Sequence, residues 1–147
     1  MTMIKQILST KGPGFFSIAP EETVYAAMAF MAEADIGSLL VIDDGQLVGI
    51  VTERDYAREI VLKGRTSSQT LVREIMKADV PCVTPNDYVD TCMELMTQER
   101  IRHLPVVEGA RVVGVISIGD LVKSVINDQR FVIEQLEDYI HGELRQH

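Results

Sequence analysis

Tryptophan is missing from this chain, and the other aromatics are scarce, with four Tyr and four Phe among 147 residues. Aliphatic packing must therefore govern any core. Positive charge is also short: 14 Lys and Arg against 22 Asp and Glu leave a net charge of −8. That balance opposes a sequence-independent grip on nucleic acid, which needs clustered cations to displace counterions from phosphates. Any anion must be held locally. No apolar run approaches the ~18 residues of a membrane span. Residues 1–10 also lack the long apolar stretch of a secretory signal, so a cytosolic protein without a membrane partner is expected. The only two cysteines, Cys82 and Cys92, have no companion at zinc spacing and read as quiet thiols. Three histidines in all leave little for a metal centre, and no nucleophile stands at recognisable spacing from one of them. A catalytic residue is not expected, and neither is a metal.

What the chain does have is itself, twice. Residues 18–64, moved forward by 65, lie on 83–129 without a gap. Identities fall at Pro20/Pro85, Val24/Val89, Met28/Met93, Met31/Met96, Ile36/Ile101, Leu39/Leu104, Val41/Val106, Val48/Val113, Gly49/Gly114 and Asp55/Asp120. Most are apolar positions that any copy of a core would demand, but the last pair is charged. Half the chain, about 65 residues, would be marginal alone because too much of its surface stays exposed, so the halves are expected to share one core.

Each copy carries the same order of signals. Pro20, Glu21 and Glu22 open a helix with Val24, Ala27, Met28 and Met31 on one face, and Val89, Cys92, Met93 and Met96 repeat that face. Two apolar runs, 39–42 and 47–51, joined at Asp44-Gly45, predict a hairpin, with a twin at 104–107 and 112–116 around Gly109. A second helix follows near 53–62 and 118–126. Ahead of each copy, Ile4, Ile7 and Leu8 match Val72, Ile75 and Met76 at an offset of 68. The three additional residues are placed in a loop at Lys11-Gly12-Pro13-Gly14. The tail has no twin, and Ile133, Leu136 and Ile140 predict one face of a short helix that needs a partner, either the module or a second subunit.

The second strand of each copy ends in a hydroxyl, with the aspartate three residues on: Thr52-Glu53-Arg54-Asp55 and Ser117-Ile118-Gly119-Asp120. That spacing is a capping box, which satisfies free amides at a helix start. It also suits a nucleotide, because helix-start amides attract phosphate and a carboxylate accepts hydrogen bonds from a ribose diol. Gly49 and Gly114 lie within strands, where a missing side chain implies close approach of a backbone or a ligand.

These pieces, together with Val83-Thr84-Pro85, Arg102-His103-Leu104-Pro105-Val106-Val107 and Val113-Gly114-Val115-Ile116-Ser117, resemble a pair of cystathionine-β-synthase (CBS) domains, the Bateman module. The resemblance implies an α/β fold of tandem β-α-β-β-α repeats packed through their sheets about a pseudo-twofold axis. Residues 1–129 would form a single module, with repeat 1 at about 15–64, a linker at 65–79 and repeat 2 at about 80–129, followed by a helical tail at 130–147. It further implies a nonenzymatic regulatory module that binds an adenine nucleotide (AMP, ADP, ATP or NAD) in clefts between the repeats, a homodimer, and a separate protein as the regulated partner. Asp55 and Asp120 resemble the ribose-binding carboxylates, and Thr52 and Ser117 their hydroxyl companions. Thr84 resembles another polar contact, and the stretches at Ile36 and Ile101 resemble those that read adenine. Because each cleft borrows from both halves, Arg54, Arg102 and His103 are candidates for a phosphate tail. A solvated charge is the alternative for each arginine, and an interface role for the histidine. The competing function is a nucleotide-free oligomerisation scaffold whose aspartates only cap helices.

Overall fold

The computed structural model describes residues 1–12 and 14–145, so Pro13 of the expected loop and residues 146–147 of the expected tail lie outside it. The chain opens with helix α1 (Ile4–Lys11) and a short strand β1 (Ser17–Ile18). Next come α2 (Val24–Ala34), the hairpin β2 (Ser38–Asp43) and β3 (Gln46–Thr52), and α3 (Glu53–Tyr56), which runs into a π-helical turn, Ala57–Val61. The second half has α4 (Val72–Ile75), α5 (Val89–Glu99), β4 (His103–Glu108), β5 (Arg111–Ser117) and α6 (Ile118–Arg145). Helix α2 starts later than the acidic pair suggested. Thr23 is its cap, with Oγ1 accepting the Ala26 N–H at 3.1 Å, and Glu21 and Glu22 lie in the turn before it.

The repeat in the letters is a repeat in the hydrogen bonds. Ile18 pairs in parallel with Val41, and Val83 with Val106, the same register 65 residues on. Both hairpins slip register at the same point, Val41/Ile42 and Val106/Val107. Both first helices end on a left-handed non-glycine residue, Asp35 and Arg100, each with φ of 56°. The strands form one five-stranded sheet, β1-β2-β3-β5-β4. Its two halves join where Gln46 meets Arg111, close to a 3.1 Å bond from the Leu47 N–H to the Ala110 carbonyl.

The halves do not share one core, contrary to expectation. One buried cluster holds Val24, Ala27, Met31, Leu39, Val41, Val51, Ile60, Val72 and Ile75. The other holds Ile4, Val83, Val89, Cys92, Met96, Leu104, Val106, Ile116 and Leu121. Each cluster is completed by a lead helix: α1, at the chain start, closes the second repeat, and α4 closes the first. The Ile4 and Lys5 N–H groups donate to the carbonyls of Asp87 and Pro85, and those of Val72 and Arg73 donate to Glu22 and Pro20, all within 2.8–3.0 Å. Full burial of an aliphatic side chain stabilises by about 1.5–3 kcal/mol, so the completely buried Ile4 ties the first residues firmly to the second repeat.

This exchange also accounts for the strand glycines. A Cβ on Gly49 would lie 2.7 Å from Met76 Sδ and 2.9 Å from the Lys77 carbonyl oxygen, and one on Gly114 would lie 2.6 Å from a Leu8 methyl. Close packing of the lead segments, rather than ligand access, surrounds them, with a backbone carbonyl at Gly49 and a movable side chain at Gly114. Helix α6 differs from the expected arrangement of a second helix followed by a separate short one. It runs unbroken for 28 residues, and Ile133, Leu136 and Ile140 on its outer part stay more than half exposed, uncovered by the module.

Candidate functional site

Both corners are built as the sequence suggested. At the first, Asp55 Oδ2 accepts from the Thr52 N–H and Oγ1–H, each at 3.0 Å, while Thr52 Oγ1 accepts the Asp55 N–H at 3.1 Å. At the second, Asp120 Oδ2 accepts the Ser117 N–H at 2.9 Å, and Ser117 Oγ accepts the Asp120 N–H at 3.1 Å. Each helix start is also tied to the cleft-side turn: the Glu53 N–H donates to Gly37 and the Ile118 N–H to Arg102.

The corners differ in what surrounds them. Asp55 is only 4% exposed, closed inside its own box. Asp120 keeps 23% of its side chain accessible and receives the ammonium of Lys11 at 2.7 Å, which also donates to the Val115 carbonyl at 3.0 Å. Burial works to raise the Asp120 pKa, but the bonds from Lys11 and Ser117 and the Lys11 charge outweigh it and hold the carboxyl below its ordinary value.

Between the halves lies a cleft of about 700 Å³. Its walls come from paired positions of the two copies: Ser38 with His103, Leu40 with Pro105, and Ile50 with Val115. Asp35, Ile36 and Gly37 extend it on one side, Phe15 and Phe16 close it from the segment before β1, and Lys11 stands at the Asp120 side. Phe16 is steadied by an edge contact with Phe30 at 5.6 Å between ring centres. A smaller groove of about 360 Å³ between α1 and α6 includes Thr10, Lys11, Asp120 and Lys123.

Of the residues proposed from sequence, Ile36 and His103 line the large cleft, and Asp120 reaches its edge through Lys11. Ser117 supports Asp120. Arg54, Arg102 and Thr84 are exposed and line neither depression, although the Thr84 N–H closes a turn onto Asp87. Thr52 and Asp55 close on each other and line neither depression, and Ile101 packs on the second core. His103 is a poor phosphate cation, because burial and then the Lys11 charge lower its pKa below the usual histidine value. Lys11, Phe15 and Phe16 went unseen in the sequence. The signal is the three-residue difference in offset, whose composition predicts a loop, whereas Lys11 belongs to the last turn of α1. The two cysteines are set apart from this cleft, and burial raises both thiols, Cys92 to about 11.

A duplicated α/β module with a cleft lined by paired positions of its two copies is the class that fold and site define. The CBS domain family matches the chain twice, over residues 4–62 and 72–127. This chain belongs to the CBS domain family, as a tandem pair. The Arabidopsis thaliana mitochondrial protein CBSX3, named a CBS domain-containing protein, is 37% identical over 96% of this chain and 73% of its own length. YhcV of Bacillus subtilis is 30% identical over 88% of this chain and 89% of its own. A solved structure of a protein with CBS domains from Burkholderia ambifaria is 51% identical, covers 87% of this chain and 96% of its own, and superposes with a TM-score of 0.78. CBS-domain pairs form a family of regulatory and signal modules. Among the described residues, no helix is long and apolar enough to cross a membrane.

Proposed function

We propose that the chain is a nonenzymatic sensor that binds an adenine nucleotide (AMP, ADP, ATP or NAD) in the inter-repeat cleft and regulates a separate protein. The observation that carries this is the cleft itself. Its volume falls within the range of about 300–1,000 Å³ common for small-molecule sites, and its mostly apolar wall has one polar edge. In this reading the base lies against Ile36, Leu40, Ile50 and Pro105, and the sugar hydroxyls face Asp120, supported by Ser117. The reading also has the module as a cytosolic homodimer, for which the uncovered apolar stripe of α6 is the supporting feature. Binding shifts the conformational balance only by the difference in affinity for the two states.

Isothermal titration with adenosine, AMP, ATP and NAD tests this directly. At least one ribose-bearing adenine compound is expected to bind, and Asp120→Ala is expected to weaken it about tenfold or more, the worth of a charge-assisted hydrogen bond. Absence of heat and of any thermal shift at millimolar concentration would overturn the proposal. The oligomerisation-scaffold reading is favoured by one observation, the closed capping box of Asp55, and would then stand alone.

A further inference from the structure

Three facts meet at Lys11. It is the only lysine or arginine among the described residues lining the large cleft, and it also lines the smaller groove. Its ammonium already rests at the cleft wall, because one of its two acceptors is the carbonyl of Val115, itself a lining residue. Its ion pair with Asp120 is partly open to solvent, with 37% of the lysine side chain accessible. Ion pairs open to solvent contribute little to stability.

In the other half, no lysine or arginine among the described residues pairs with Asp55, the counterpart of Asp120. There, the chain leaving α4 pairs with β3 through its backbone, the Lys77 and Ile50 N–H groups each donating to the other's carbonyl at 2.9 Å. Ile50 is the counterpart of Val115, so a peptide group does in one half what an ammonium does in the other. Helix α4 stops at Ile75, the counterpart of Ile7, whereas the three additional residues of the first copy fall where α1 runs on to Lys11. They let the helix end on a lysine, at the terminus where the helix dipole favours a cation, before the chain turns back toward β1.

We propose that Lys11 is the phosphate-reading residue of the cleft. Its ammonium exchanges Asp120 for the phosphate nearest the ribose, and Asp120 is thereby released to the sugar hydroxyls. The flexible four-carbon stem of lysine suits such an exchange. The inference rests on the adenine-nucleotide reading and specifies how that cleft would distinguish a nucleotide from its nucleoside.

The test is calorimetric titration of adenosine and AMP into the wild type, Lys11→Gln, Lys11→Arg and Lys5→Gln. Lys5 is an exposed residue of the same helix that lines neither depression and serves as the charge control. The wild type should prefer AMP. Lys11→Gln should lose about tenfold or more in AMP affinity while binding adenosine at least as well as before. Lys11→Arg should retain most of the preference, and Lys5→Gln all of it. AMP affinity unchanged in Lys11→Gln overturns the role of Lys11 and leaves the nucleotide reading standing. Equal loss of AMP and adenosine also overturns it, showing that Lys11 only holds the shape of the cleft. If the wild type binds neither compound, this inference fails, and the nucleotide reading fails with it only when ATP and NAD also give no heat.

Discussion

The first corner, Thr52 to Asp55, and the second, Ser117 to Asp120, share the same hydroxyl, spacing and box, yet one is sealed and the other is open. Asp55 lies 4% exposed within its own hydrogen bonds, whereas Asp120 keeps an accessible edge and holds a cation delivered from α1. The helices they start diverge as well: α3 and its π turn stop at Val61, while α6 continues to Arg145. A duplicated motif thus acquires different work through its neighbours. In this molecule the neighbours are the two lead segments, each docked on the other repeat and unequal by three residues.

The largest effect should come from undoing one of those dockings. Ile4→Ala removes a fully buried side chain and should cost about 3 kcal/mol in chemical denaturation. Hydrogen exchange should show the loss of protection first in β4, β5 and α5. Loss confined to the first repeat would break the assignment of α1 to the second. Next come the strand glycines. Gly49→Ala presses on a backbone carbonyl and should destabilise by about 2 kcal/mol, whereas Gly114→Ala meets only a movable Leu8 methyl and should cost about 1 kcal/mol or less. A reversed order would mean that the lead segments yield differently from their contacts.

A smaller contrast lies in acid. Asp120 has its folded pKa below its ordinary value of 3.8, so its stabilisation is complete above that value and is lost as pH falls through the lower, folded one. Asp120→Asn should therefore flatten the stability profile below about pH 4. A profile with the same slope in the variant would detach Asp120 from acid unfolding. The smallest effect concerns His103. Its pKa lies below 6.5 through burial and the Lys11 charge, so the folded state resists protonation and stability declines slightly as pH drops below 6.5. Proton NMR should place its titration under that of a free histidine, and Lys11→Gln should move it partway back. A midpoint that ignores the variant would remove Lys11 from the cleft wall.

Much of the fold was legible in the letters. The hairpins, the first helix of each copy and both capping boxes follow from apolar spacing and from side chains that bond within three residues. The cleft was legible only in part. Ile36, His103 and Asp120 could be named because they sit in motifs. Arg54 and Arg102 are candidates through their charge and, for Arg102, its motif, and both lie exposed and line neither depression. Lys11 was overlooked because a three-residue surplus beside Gly and Pro has the composition of a loop, and the end of a helix can use the same residues.

By itself the sequence determined that there are two copies, what each is made of, and where a hydroxyl and a carboxylate close a helix start. Those features depend on residues a few positions apart, whose geometry is set by the backbone between them. Only the tertiary structure decided that the lead segments trade places, that the cores are two, and that Lys11 meets Asp120 across 109 positions of chain. Such a contact depends on where a terminal helix finds apolar surface to bury, and no local pattern carries that information.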